Sequence, residues 1–148
     1  MAGIRAVAVT GEVATGTSQK TLLQIVAASN HRVLISEIAI SFRGTSNTAE
    51  PIQVEIARQT TAGTMSALTP EKMNESDQET LQTTAQHTAT VEPTTGNTVL
   101  RENVHPQGGY TWQAPFGGEL VVEGGNRLGV MVTAGADVNA TTRAIFEE

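Results

Sequence analysis

The sequence predicts an all-β fold, a sandwich or a barrel, and two observations support this. First, polar and apolar residues alternate in three separate segments, whose apolar members are Ile38, Ile40 and Phe42; Ile52, Val54 and Ile56; and Leu128, Val130 and Val132. A period of two is that of a strand with one face in a core and the other in water. Second, strand-like segments recur at a spacing of about 8–12 residues between connections rich in Thr, Gly and Asn, which is typical of sandwiches and barrels.

The N-terminal segment predicts an extended arm that carries one short strand. Residues 1–19 contain short β-branched and alanine runs interrupted by Gly11 and Gly16, with no sustained apolar face. A sandwich domain is expected to follow over residues 20–148. Its first two strands are predicted at 21–28 and 32–43, and a polar turn between them favours pairing as a hairpin.

The rest of the chain predicts mainly strands. Pro51 opens a strand that reaches about Gln59, where its missing N–H is tolerated. Within the long irregular region that follows, Thr69 and Pro70 predict one helical turn with the threonine as N-cap. Further strands are predicted at 81–91, 98–104, 109–114, 119–123, 127–133 and 138–146. No helical period lasts for three turns, which disfavours an α/β architecture.

The alternation also predicts which side chains form the core. On the polar side of the strand after Pro51, we expect Gln53 and Glu55 to face water. The residues expected to face inward are Ile38, Ile40, Ile52, Val54, Ile56, Leu128, Val130 and Val132.

Composition narrows the class of protein. The chain has 148 residues, a single-domain length, a formal net charge of −6 and no cysteine. Its basic residues are scattered from Arg5 to Arg143, which argues against direct binding to nucleic-acid phosphates. No apolar run approaches the roughly 20 residues that a membrane span requires, and we expect a soluble protein made in a cytoplasm.

Residues suited to catalysis or metal binding do not gather in the sequence. His31, His87 and His105 are far apart, although the strands of a barrel can bring distant histidines together as in cupin-type metal sites. Residues 74–79 hold several carboxyl and amide oxygens but lack the spacing of a calcium loop. We therefore expect no enzyme activity, no metal and no cofactor.

The aromatic residues are few, and three of them lie close together. In an extended segment Tyr110, Trp112 and Phe116 would point to one side, and glycines flank the segment. Such a strip fills a core, anchors a subunit interface or stacks on sugar rings. The sequence leaves these three uses open.

Three stretches resemble the small jelly-roll cement, or decoration, proteins of tailed bacteriophages. They are QTTAGTMSALTPEK, LQTTAQHTATVEPTTGN and HPQGGYTWQAPFGGELVVEGGNRLGVMVTAGADVN, and the resemblance extends from about Lys20 to Phe146. It implies a two-sheet jelly-roll sandwich that forms a homotrimer on the outer surface of an icosahedral head. There it would bridge subunits of the major capsid protein and act as a structural protein of the virion.

The same resemblance implies that an N-terminal arm helps to contact the capsid. The matching segment here runs from Ala2 to Lys20. Within it Ile4, Val7 and Val9 are suited to apolar grooves, and Arg5 is suited to capsid carboxylates. An alternative is a carbohydrate- or receptor-binding jelly roll that uses the aromatic strip. An enzyme of cupin type is a third reading.

Overall fold

The computed structural model describes residues 3–148 and shows thirteen strands and no helix within that range. The strands form two antiparallel sheets, so the prediction of an all-β, two-sheet sandwich is confirmed. The strands are β1 Arg5–Val9, β2 Val13–Ala14, β3 Lys20–Val26, β4 Val33–Phe42, β5 Ile52–Gln59, β6 Thr64–Leu68, β7 Glu71–Lys72, β8 Thr84–Val91, β9 Thr95–Val104, β10 Gly109–Gln113, β11 Leu120–Val122, β12 Arg127–Thr133 and β13 Asn139–Glu147.

The chain passes back and forth between the two sheets. Sheet A has the strand order β10-β4-β13-β1-β7, with β11 paired to β4 and β2 paired to β13. Sheet B has the order β6-β8-β3-β12-β5-β9. The predicted hairpin is therefore wrong, because β3 lies in sheet B and β4 in sheet A. Each of the two strands pairs instead with partners distant in sequence.

The core lies between the sheets and is built from the predicted alternations. All eight residues expected to face inward are 3% exposed or less. Neighbouring strands bring them into register, since Ile56 lies opposite Val130 and Val54 opposite Val132. Aliphatic residues at alternate positions thus close the space between the sheets, as a sandwich core requires.

The prediction that the polar side of β5 faces water is wrong for Glu55. Its exposed fraction is 5%, and Ala57 and Gln59 on the same side are also buried. The Glu55 carboxylate accepts hydrogen bonds from Gln19 Nε2 at 3.2 Å and from Arg101 Nη2 at 3.2 Å. Polar neighbours therefore cover this carboxylate and replace the water that the alternation alone predicts.

Two connections between strands explain the burial of Gln59, farther along the outer face of sheet B. Residues 60–63 lead from β5 to β6, and residues 92–94 lead from β8 to β9. They are joined by bonds from the Thr60 amide to the Thr94 carbonyl at 2.9 Å and from the Thr94 amide to Thr61 Oγ1 at 2.8 Å. Together they lie across the face as a cover.

Beneath this cover lies a buried polar network. Gln24 Nε2 donates to Gln59 Oε1 at 2.7 Å and to the Thr61 carbonyl at 3.2 Å. Gln59 Nε2 donates to Thr21 Oγ1 at 3.0 Å, and the Thr21 hydroxyl donates to Glu92 Oε2 at 2.7 Å. Because the amides of Gln24 and Gln59 have partners, the cover does not leave these two groups with the cost of an unsatisfied polar group. Opposite Gln24, the buried Gln86 Oε1 has no partner among the described residues.

The predicted arm over residues 1–19, with a domain boundary at residue 20, is wrong for residues 4–15. Strand β1 lies inside sheet A between β13 and β7, and β2 also pairs with β13. Ala6 and Ala8 are fully buried. Their small side chains leave room for Phe146, which lies opposite Ala6. In β1, alanines therefore occupy the inward positions that larger aliphatic residues occupy in the other core strands. Met1 and Ala2 lie outside the described residues.

The helical turn predicted at Thr69 is also wrong. Glu71 and Lys72 form β7, which pairs with β1 at the edge of sheet A. The Met73 amide then donates to the Arg5 carbonyl at 2.8 Å. An extended backbone after Pro70 thus gives β1 hydrogen bonds on its second side, which one isolated helical turn would not provide.

Candidate interaction surfaces

The first candidate surface is the outer face of sheet A, to which β1 contributes three of its side chains. Because the two alanines of β1 face the core, Arg5, Val7 and Val9 face outward. Val9 is 47% exposed. Ile4 is 6% exposed and is therefore not available to a partner. Three of the four residues predicted to contact a capsid thus lie on one surface, but they lie on a paired strand and not on a free arm.

Strands β13, β4 and β11 extend this face with apolar residues that the sequence analysis did not select. Val7 lies opposite the half-buried Ile145 on β13. Farther across, the half-buried Leu34 lies opposite Val121, which is 38% exposed. The period-two pattern of β13 predicts that Ile145 and its neighbours lie on opposite faces, but it does not indicate which of the two faces is turned toward the core.

One ion pair lies in the middle of the outer face of sheet A. Arg143 Nη2 donates to Glu37 Oε1, and Gln113 Nε2 donates to Glu37 Oε2 at 3.4 Å. The hydrogen bond from Arg143 lowers the pKa of Glu37 below its usual range; partial burial opposes this, and Gln113 adds to it. The carboxylate therefore stays ionised in mildly acidic solution, and the face carries a fixed pair of opposite charges.

The second candidate surface is the open flank, where β10 and β9 are the outermost strands of their sheets on one side of the sandwich. Tyr110 and Trp112 lie opposite Ile40 and Ile38 and pack, half-buried, against the core. Burial raises the pKa of Tyr110, and the nearby Glu102 on β9 raises it further. The sole Trp and the sole Tyr therefore partly close this flank.

The third candidate surface is the Phe116 turn, residues 115–118, which joins β10 to β11. Phe116 is fully exposed, with a relative accessibility of 107%. The prediction that it shares one side with Tyr110 and Trp112 is wrong, because the strand ends at Gln113 and the chain turns. The three aromatic residues do not form one continuous platform for sugar rings.

The backbone of this turn is sharply defined. The Gly118 amide donates to the Pro115 carbonyl at 2.8 Å, which closes a four-residue turn with Phe116 at its second position. Gly117 has a φ of 77°, the left-handed value that the third position of a type II turn requires. A Cβ at Gly118 would lie 2.8 Å from Pro115 Cγ, so this position also favours glycine.

A cleft at one end of the sandwich is lined by Arg43, Glu50 and Asp137, and two of these three charged residues are engaged within the chain. Arg43 Nη1 donates to Glu12 Oε1 at 2.7 Å, and Asp137 Oδ1 accepts from the Gly16 amide at 2.8 Å. Arg43 and Asp137 therefore serve the structure of the chain at this cleft.

Residues 3–148 contain no group of three His, Cys, Asp or Glu side chains that could hold a metal ion. His31, His87 and His105 are not brought together. In the same part of the chain, no helix is long and apolar enough to cross a bilayer.

The fold and these surfaces define an antiparallel β-sandwich that presents one open sheet face, one open flank and one projecting aromatic turn. Comparisons with family models, with curated proteins and with solved structures give no match for this chain.

Proposed function

We propose that this protein is a structural protein of a virion, a capsid cement or decoration protein of a tailed bacteriophage. Made in the host cytoplasm, it binds the outer surface of the phage head and bridges major capsid subunits, without enzyme activity, metal or cofactor. The proposal rests first on the sequence resemblance from about Lys20 to Phe146.

The strand order supports the jelly-roll form of this proposal. Eight of the strands fall in the order β10-β4-β13-β1 in sheet A and β3-β12-β5-β9 in sheet B. In chain order, six of the seven connections between these eight strands cross from one sheet to the other. The strands of an eight-stranded double-sheet jelly roll are connected in this way. The pair β6 and β8 extends sheet B beyond β3.

The observation that carries the proposal is the apolar band on the outer face of sheet A. It consists of two apolar groups on hydrogen-bonded strands, which the Glu37–Arg143 pair and Glu147 separate. The groups are Val7, Val9 and Ile145 on β1 and β13, and Leu34 and Val121 on β4 and β11. Apolar side chains grouped on an exposed face and rimmed by polar residues are a feature of protein interaction sites. Because the strands are already ordered, binding through them costs less conformational entropy than binding through a free arm.

A homotrimer fits this role, and the open flank is the part of the chain best suited to form it. Tyr110 and Trp112 are half-buried there, and aromatic residues are enriched at the centres of protein interfaces. Three linked copies would raise avidity by about 10²–10⁴ over one site where the geometry allows simultaneous contact. A weak contact between the capsid and the sheet A face of each copy would then suffice for stable binding of the trimer.

Binding to empty, expanded capsids of the phage that encodes the protein tests this proposal. We expect the wild-type protein to co-sediment with these capsids and to raise their resistance to heat. Val9→Asp, on the outer face of sheet A, should weaken binding at least about tenfold, since it places a charge in an apolar contact. The matched control is Val91→Asp, because Val91 is 59% exposed at the end of β8 in sheet B.

If the wild-type protein does not bind these capsids, the cement function is wrong. Deletion of residues 2–20 is not a usable test, because it removes β1 and β2 from sheet A. Light scattering over a wide concentration range measures the trimer separately. A strictly monomeric mass at high concentration would limit trimer formation to the capsid surface.

The alternative function is that of a carbohydrate- or receptor-binding module, and the partial exposure of Trp112 at the open flank is what favours it. Retention of the wild-type protein on a glycan array, with loss of retention in Trp112→Ala, would support this alternative. Failure to bind capsids together with that result would replace the cement function.

A further inference from the structure

The Phe116 turn presents an apolar group that the fold itself does not use. The other two phenylalanines, Phe42 and Phe146, are 7% and 1% exposed, whereas Phe116 is fully exposed. Large aromatic side chains contribute most when they are buried, in a core or in an interface. A phenylalanine with no cover within the described chain is therefore available to a partner.

The turn also holds Phe116 away from the sandwich. Pro115 has a restricted φ, the Pro115–Gly118 hydrogen bond closes the turn, and Gly117 takes the left-handed conformation. A side chain on so constrained a backbone loses little further freedom on binding, which is the condition for an efficient anchor. A flexible glycine-rich loop would lose more.

The position of the turn connects it with the outer face of sheet A. The turn leads directly from β10 to β11, and both strands pair with β4 at that edge. The exposed Val121 on β11 belongs to the apolar band described above. A partner that covers the band from β1 to β11 therefore reaches the turn at the margin of the same surface.

We propose that Phe116 is an anchor that inserts into an apolar pocket of the capsid subunit bound by the outer face of sheet A. This inference rests on the proposed cement function and adds to it a contact residue and the chemistry of its receptor. One rigid aromatic side chain fits a pocket in a protein, where anchors of this kind dominate the binding energy.

A lipid surface suits the turn less well. Glu119 and Glu123 follow the turn, and the whole chain has a net charge of −6. Interfacial membrane binding depends on basic residues beside the apolar ones, because the lipid surface is commonly anionic. The Arg58 guanidinium is engaged with β11, because it donates to the Val121 carbonyl. The described surroundings of the turn therefore lack a free basic cluster, which favours a protein pocket over an anionic lipid surface.

Phe116→Ala tests the anchor in a co-sedimentation assay with empty, expanded capsids. We expect binding to weaken about 30-fold, which equals about 2 kcal/mol at 1.4 kcal/mol per tenfold change. The thermal midpoint should stay unchanged, because Phe116 is fully exposed. Val91→Ala is the matched control, since Val91 is 59% exposed at the end of β8 in sheet B, away from the outer face of sheet A; it should alter binding less than twofold.

The outcomes separate this inference from the proposed function. If the wild-type protein binds capsids and Phe116→Ala binds equally well, the anchor is wrong while the cement function stands. If the wild-type protein does not bind, both are wrong. Loss of self-association in Phe116→Ala by sedimentation velocity would assign the side chain to a second copy and overturn the proposal. Phe116-dependent binding to phosphatidylglycerol vesicles would also overturn it.

Discussion

The outer faces of the two sheets have similar alternating sequences but differ in their exposure to solvent. On sheet A the outward residues of β1 remain open, and Val9 is 47% exposed. On sheet B the outward residues of β5 are covered, and Glu55 and Gln59 are 5% and 3% exposed. The difference comes from what lies over sheet B: the side chains of Gln19 and Arg101 cover Glu55, and the connections of residues 60–63 and 92–94 lie farther along the face. Alternation along a strand predicts two faces, and contacts from elsewhere in the chain decide which face remains available to a partner.

The largest expected effect is the loss of stability when a fully buried side chain of the core is truncated. Ile56→Ala in β5 should lower the free energy of unfolding by about 2–5 kcal/mol, because Ile56 is 1% exposed and its loss leaves a cavity. Chemical denaturation measures this. The volume-conserving Ile56→Leu should cost less than about 1.5 kcal/mol. Equal losses for both variants would mean that shape, and not buried volume, limits this part of the core.

The next effect tests the covered face of sheet B directly. Glu55→Ala should cost about 1.5–3 kcal/mol, because it removes a buried carboxylate that accepts charge-assisted and hydroxyl hydrogen bonds. Gln53→Ala, on the same face but half-buried, should stay within about 0.5 kcal/mol. A Glu55 variant as stable as the Gln53 variant would show that the outer face of sheet B is open to water.

A smaller effect concerns the ion pair on the open face of sheet A. The Arg143 hydrogen bond lowers the pKa of Glu37, so the pair contributes stability at pH values above the unfolded pKa near 4.5. That contribution is lost as the pH falls through the lower, folded pKa. Arg143 is 49% exposed, which limits the contribution to under about 1 kcal/mol.

The pH dependence of unfolding, compared between the wild type and Glu37→Gln, measures this contribution. The difference between the two proteins should be constant near neutral pH and should shrink below about pH 4.5. Added salt should reduce it as well. A difference that grows on acidification would have the wrong sign and would exclude the pair as its source.

The smallest expected effect is the change in stability caused by a substitution in the apolar band on the outer face of sheet A. Val9→Thr should change the free energy of unfolding by less than about 0.5 kcal/mol, since Val9 faces outward and threonine keeps the β-branched shape. Thermal unfolding measures it. A loss above about 1 kcal/mol would show that Val9 is covered, which would remove the contrast between the two outer faces.

Much of the fold could be predicted from the sequence because strand periodicity is a local signal. The inward residues of β4, β5 and β12 follow from alternation alone, and all eight predicted core residues are buried. A short strand was predicted within residues 1–19, but not its place inside sheet A, because the inward residues Ala6 and Ala8 carry little apolar contrast. The covering of Glu55 could not be predicted because it depends on Gln19 and Arg101, which are distant from Glu55 in the sequence.

The candidate surfaces were less predictable for the same physical reason. Arg5, Val7 and Val9 were selected from the sequence, but as parts of an arm, since pairing with β13 cannot be seen locally. Phe116 was selected as part of a strip with Trp112, and the turn that separates them depends on the conformation of Gly117. These residues could therefore be predicted from the sequence, but the backbone conformation that presents them could not.

The pairing of β1 with β13 has a consequence for synthesis of the protein. Arg5 lies opposite Glu147, so the middle of sheet A cannot close until almost the whole described chain has left the ribosome. Until then β1 lacks the neighbour that covers its backbone, and an unpaired strand can associate with other chains. Folding governed by contacts so distant in sequence is slow, on the order of milliseconds to seconds. Rapid expression at high temperature should therefore favour aggregation of nascent chains over accumulation of the folded sandwich.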